Sequence, residues 1–159
     1  NLLSNLNYKV VALTNKDEKF LTKLGATSII KRDSFNYSKN PLSKQKWQGA
    51  IDTVGGEILS TILAETMYDG IVVSTGLAKS ATLNTTVYPF ILRNITLSGI
   101  DCVYASYTKR VNAWKFLEKY LDKRILNKIK VSKSFNDLHD ISNQILKGEI
   151  RGRTLIKVI

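Results

Sequence analysis

Short β-rich runs alternate with helical stretches along nearly the whole chain, and no other feature of the sequence restricts the fold as strongly. Two strands separated by a helix cannot pair as a hairpin. The crossover brings the second strand back in the same direction, so the pair is parallel. The pattern therefore predicts an α/β fold with a largely parallel sheet. Strands are expected over residues 9–14 (KVVALT), 28–31, 49–54 (GAIDTV), 71–75, 95–100 and 153–159 (RTLIKVI). Residues 1–6 read as the last turns of a helix, with Leu2, Leu3 and Leu6 at helical spacing. A helix over 17–24 has Asn15 or Asp17 as its N-cap and Gly25 as its stop. Further helices are expected over 57–66, after the Gly55-Gly56 turn, and over 87–93, with Pro89 in the first turn. The helix over 109–120 places Val111, Trp114, Leu117 and Leu121 on one face. The helix over 136–147 buries Leu138, Ile141, Ile145 and Leu146, and Gly148 stops it. Between these elements, 33–47 is a polar loop containing Pro41, and Asp69-Gly70 is a turn.

A doubly wound domain opens with a strand, a glycine-rich turn and a helix N-terminus that holds a pyrophosphate. The nine glycines of this chain include no G-x-G pair. The expected architecture is thus a Rossmann-type doubly wound, mostly parallel sheet lacking its first strand and its glycine-rich loop. Residues 1–159 are read as a partial domain that starts in the helix after that loop. Loss of a central strand exposes the edges of its two neighbours.

Composition narrows the function. A hydrophobic fraction of 43% with two prolines suits an ordered domain, and no apolar run reaches the ~18 residues of a membrane span. A single cysteine, Cys102, excludes an intramolecular disulfide and any cysteine-rich zinc site, and suits a reducing cytoplasm. The net charge of +11 brings nucleic acid into consideration. The basic residues are nevertheless dispersed, even in the dense stretch 109–133, as on a solvated surface. Neither nucleic acid nor membrane is expected as a partner, whereas an anionic cofactor or substrate would be served by the same charge.

The end of the first strand is the most informative place. An acid there binds the ribose of NAD, and a basic residue suits the 2′-phosphate of NADP. Thr14-Asn15-Lys16 supplies hydrogen bonds and a charge, and Arg32, after the next strand, can grip a phosphate with two parallel bonds. The same residues read equally as ordinary surface groups after strands. Gly55 and Gly56, after Asp52, permit close approach of a ligand, although Asp52 can also cap a neighbouring backbone group. Residues 74–78 (STGLA) repeat the theme of small residues. The lone His139 lacks partners for a metal or triad role and reads as a surface residue. Cys102 is expected to be buried or to line a ligand. Trp47 and Trp114 are expected to anchor packing, as are Tyr104 and Tyr107.

The runs KVVALTNKDEKFLTKLGATSIIKRD, GAIDTVGG, VVSTGLAKSATLNTTVYPFILRNITLSGID and GEIRGRTLIKV resemble the second half of a bacterial medium-chain reductase. The resemblance is to the acrylyl-coenzyme A reductase and quinone oxidoreductase-like subfamily and covers essentially the whole chain. It implies a two-domain, zinc-independent enzyme whose N-terminal GroES-like catalytic domain lies outside this chain. It also implies NADPH as cofactor, hydride transfer to the β-carbon of an activated double bond or to a quinone, and a homo-oligomer. Thr14, Asn15 and Lys16 match a segment, usually Ser-Gly-Arg, that resembles a 2′-phosphate binder, and Arg32 matches a basic position facing the same phosphate. Leu77 matches a residue whose backbone meets the nicotinamide end, with Ile91 close by. Cys102 stands where serine is common and Gly148 where asparagine is common. No catalytic residue transfers, and the chain alone is expected to be a poor enzyme. The alternative is a non-catalytic basic binding or self-association module.

Overall fold

The computed structural model describes residues 1–158. In chain order the elements are α1 (Leu2–Asn5), β1 (Val11–Leu13), α2 (Glu18–Lys23), β2 (Ser28–Ile30), β3 (Trp47–Asp52), α3 (Gly56–Glu65) and β4 (Thr66–Ser74). There follow α4 (Tyr88–Arg93), β5 (Thr96–Gly99), α5 (Tyr107–Tyr120), α6 (Lys123–Ile129), β6 (Lys130–Ser134), α7 (Leu138–Leu146) and β7 (Arg153–Lys157). The chain forms two compact units. One comprises residues 1–35 and those from 110 onward, and the other comprises residues 36–109.

All described strand pairs are parallel, as the alternating pattern requires. They form three ladders, β1-β2, β3-β4-β5 and β6-β7, where one sheet was expected. Neither β1 nor β3 has a second hydrogen-bonded neighbour among the described residues, so each is an edge strand.

The unit of residues 36–109 is organised around Leu59 and Leu63 of α3, Val72 of β4 and Ile95, with Ala50, Ile62, Phe90 and Leu97 packed against them. Its register places Asp52 opposite Ser74, and Ser74 opposite Gly99, so the three strands end level at their carboxyl ends. The Asp69-Gly70 turn signal falls inside β4. There the pairing slips from Trp47↔Thr66 to Gly49↔Ile71, and Asp69 has a φ of 58°. Helix α3 ends at Glu65 and β4 begins at Thr66, with no loop between them. Arg93 fastens that junction. Its Nη1 donates to the carbonyls of Ala64 (2.8 Å) and Thr66 (3.1 Å), and its Nη2 donates to the carbonyl of Ser43 (2.5 Å). The buried Glu65 carboxylate accepts from Lys46 Nζ at 2.5 Å and from Trp47 Nε1 at 2.9 Å, so Trp47 anchors packing as expected.

In the other unit, Asp17 caps α2 by accepting from the Phe20 N–H at 3.1 Å, which selects it over Asn15 as the N-cap. Helix α7 stops as expected. Gly148 takes a φ of 70°, its N–H donates to Ile145 O and the Glu149 N–H donates to Gln144 O, the paired bonds of a Schellman end. Helix α6 and strand β6 fill a stretch that carried no specific expectation. Three packing expectations fail. Trp114 is 68% exposed, and of the α7 set only Ile141 is buried, Leu146 being 86% exposed. Tyr104 and Tyr107 are also exposed. Helical spacing marks a face fit for burial. It does not supply the element that would cover it, and none of the described residues covers these. Ile159, which closed the expected last strand, lies outside the described residues.

Candidate functional site

In the unit of residues 36–109, the level carboxyl ends of β3, β4 and β5 open into a cleft of about 600 Å³. Its floor comes from Gly55, Ser74, Thr75, Gly76 and Leu77, and its far wall from Ser80–Leu83 and Gly99–Asp101, as a parallel sheet places ligands beyond its carboxyl edge. Asp52 shapes the floor. One oxygen accepts from the N–H groups of Val54 (3.2 Å) and Gly55 (3.1 Å), and the other accepts from Gly55 at 3.0 Å. Asp52 is therefore the backbone cap that was its alternative reading. The close approach that Gly55 permits is to the protein itself. At φ 72°, a Cβ there would lie 2.2 Å from the carbonyl oxygen of Ser80.

The loop after β4 is stitched down by the N–H groups of Thr75, Ala78 and Lys79, which donate to the carbonyls of Asp52, Thr53 and Val54. The N–H groups of Gly76 and Leu77, between them, donate to no group among the described residues. Lys79 reaches the Tyr37 hydroxyl (3.4 Å) and the Glu57 carboxylate (3.5 Å). The Tyr37 contact foremost, then Glu57, holds its ammonium above the ordinary lysine value.

Of the expected residues here, Leu77 lines the cleft. Ile91 does not; it is 68% exposed on α4. Cys102 is exposed, so of its two expected roles the buried one fails; beside it Asp101 turns the chain by accepting the N–H groups of Val103 (2.8 Å) and Tyr104 (3.1 Å). The Ser80–Leu83 wall was missed, since ordinary small residues with no motif carry no signal at sequence level.

The second group of expected residues lies in the other unit, at the carboxyl ends of β1 and β2. Thr14 Oγ1 accepts from the Lys16 N–H at 3.2 Å, folding a tight turn after β1. Asn15 bridges to the end of β2. Its Oδ1 accepts from the Arg32 N–H at 2.8 Å, and its Nδ2 donates to Asp33 Oδ1 at 3.1 Å. Arg32 opens a 3₁₀ turn, Arg32–Ser34, and its guanidinium is exposed with no hydrogen bond or ion pair among the described residues. Lys16 behaves differently. Its ammonium donates to the carbonyl of Gly148 and, at 3.2 Å, to that of Ile150, at the end of α7. Lys16 and Gly148 thus meet as a helix-end contact, the lysine complementing the carbonyl-rich terminus. Beside them, Arg151 pairs with Asp17 at 2.8 Å and lies over the Phe20 ring at 4.5 Å. His139 is exposed, as the sequence suggested.

A family model for zinc-binding dehydrogenase matches residues 1–119, three quarters of the chain. The chain belongs to the zinc-binding dehydrogenase family. Within this family, part of the medium-chain dehydrogenase/reductase superfamily, it is 41% identical over 159 residues to the probable acrylyl-CoA reductase AcuI of Escherichia coli. It is 36% identical over 161 residues to the putative quinone oxidoreductase YhfP of Bacillus subtilis. Each match covers 99% of this chain and 49% of the relative, so the chain spans about half the length of these family members. Among solved structures, E. coli YhdH with bound NADPH superposes with a TM-score of 0.92 at 40% identity, over 99% of this chain and 49% of that one. B. subtilis YhfP with bound NAD gives 0.91 at 37% identity, with the same coverage. The Rossmann-type α/β expectation and the resemblance to this reductase subfamily are borne out. No group of three or more His, Cys, Asp or Glu side chains among the described residues is placed to hold a metal ion, and no helix among them is long and apolar enough to cross a membrane.

Proposed function

We propose that this chain is the cofactor-holding half of an NADPH-dependent reductase. Its acceptor is an activated carbon–carbon double bond, as in an acrylyl-CoA-like enoyl thioester, or a quinone. The observation that carries the reading is the cleft beyond β3, β4 and β5, where two adjacent N–H groups, of Gly76 and Leu77, have no protein acceptor. Neighbouring N–H groups without a protein acceptor, at a sheet's carboxyl edge, suit a carbonyl such as the nicotinamide carboxamide. The residues therefore fit the cofactor's redox end. In the other unit, taken by itself, the exposed guanidinium of Arg32 and the hydroxyl of Thr14 are available donors for a phosphate. Lys16 keeps one of its three N–H bonds for that purpose.

When bound, NADPH supplies a hydride from its nicotinamide ring. The protein groups bind and orient. Gly76 and Leu77 would hold the carboxamide through their N–H groups, while Leu59, Leu83 and Ile100 would shield the ring from water. The groups that position the acceptor belong to the GroES-like part proposed for the whole protein. Zinc independence and a cytoplasmic location belong to the same reading and rest on the reductase subfamily resemblance. So does a homo-oligomer, which the exposed Tyr88, Ile91 and Leu92 of α4 also favour.

Calorimetric titration of the whole protein proposed here, with NADPH and with NADH, tests the proposal. Binding of NADPH in preference to NADH is expected, with displacement of the Gly76 and Leu77 amide resonances by either nicotinamide. An absence of binding by both dinucleotides would sink it.

A further inference from the structure

The Asn15 side chain ties the turn after β1 to the end of β2. Its oxygen satisfies the first N–H of the 3₁₀ turn, that of Arg32, at 2.8 Å. The Arg32 carbonyl accepts in turn from the Phe35 N–H at 3.2 Å. The main chain of Arg32 is thereby fixed on both sides while its guanidinium stays exposed. The same carboxamide donates to Asp33 Oδ1 at 3.1 Å, which holds the acid next to Arg32 in a defined bond with an amide. Lys16, the other cation expected at the phosphate, spends two of its three N–H bonds on the Gly148 and Ile150 carbonyls.

We infer that Asn15 is a positioning residue for the phosphate end of the cofactor site: it fixes Arg32, and Arg32 rather than Lys16 sets the preference for a 2′-phosphate. The inference rests on the NADPH reading above. A guanidinium on a fixed main chain loses less freedom on gripping a phosphate than one on a mobile turn, so the clamp improves discrimination without touching the ligand. Lys16 holds the α7 end and contributes chiefly to stability.

The test is an NMR titration of the full chain with 2′,5′-ADP and with 5′-ADP, which differ only in the 2′-phosphate. Arg32→Gln is expected to weaken 2′,5′-ADP by about ten- to a hundredfold, the worth of a charge-assisted pair, and to leave 5′-ADP within about twofold. Asn15→Ala is expected to lower the ratio of the two affinities by about three- to tenfold. Lys16→Met is expected to change the ratio by less than about threefold while lowering the melting temperature. A larger loss of ratio in Lys16→Met than in Arg32→Gln, or an unchanged ratio in Asn15→Ala, would overturn the inference and leave the NADPH reading standing. If neither nucleotide shifts any resonance of the wild-type chain, the NADPH reading fails and takes the inference with it.

Discussion

Both carboxylate oxygens of Asp52 accept from one N–H, that of Gly55, at 3.1 and 3.0 Å. Gly55 has a φ of 72° and a ψ of −164°, a region open in practice to glycine alone. The carboxylate therefore holds a backbone shape that the cleft floor requires. Gly55→Ala is expected to cost about 1–3 kcal/mol from backbone strain, before counting the collision with Ser80 O. Asp52→Ala leaves two N–H groups without an acceptor and is expected to cost a similar ~1–3 kcal/mol. Asp52→Asn retains one acceptor and should fall between that and the wild type. Urea unfolding checks the order. Equal stability of Asp52→Ala and the wild type would show that the cap does not hold the turn.

Arg93 is expected to matter more than its place on a six-residue helix suggests. Its two terminal nitrogens reach three carbonyls, those of Ser43, Ala64 and Thr66, where α3 passes into β4 without a loop. Lysine cannot span the three, because its donors radiate from one atom. Arg93→Lys and Arg93→Met are both expected to destabilise the unit of residues 36–109, by about 1–3 kcal/mol for the methionine. Trp47 reports on that unit through its bond to Glu65, so its fluorescence in a Trp114→Phe background follows the unfolding. A lysine variant as stable as wild type would mean that one cation, and not the fork, suffices.

What the sequence made legible was mostly local. Asp17 and Gly25 bracket α2, and Gly148 ends α7, because capping depends on residues within one turn of each other. The parallel sense of the strand pairs follows from alternation in the same way. The candidate site was legible in its location, at strand ends, and less so in its roles. Lys16 is drawn to carbonyls 132 and 134 positions away, a contact that no window of sequence contains. Asn15 and Arg32 are 17 apart and meet only because β1 and β2 end side by side. Trp114 failed for a related reason: its residue type favours burial, but burial needs an element to cover it, and none of the described residues covers this one.

The Asp17 carboxyl gives a prediction with a definite sign. It is held below the ordinary carboxylate value, first by the Phe20 N–H it caps and then by Arg151, with partial burial opposing. A carboxyl depressed in the folded chain stabilises it above the unfolded value near 3.8, and that contribution is lost as pH falls through the lower folded value. Acid unfolding of the wild type should therefore steepen just below pH 3.8, and Asp17→Asn should remove this part of the dependence. Arg151→Met should raise the Asp17 midpoint only part of the way, because the larger contribution, from the helix N–H, survives. Carboxyl carbon chemical shifts of Asp17 across the acid range measure the midpoint directly. Full return to the ordinary value in Arg151→Met would assign the depression to the ion pair and take the cap out of the account.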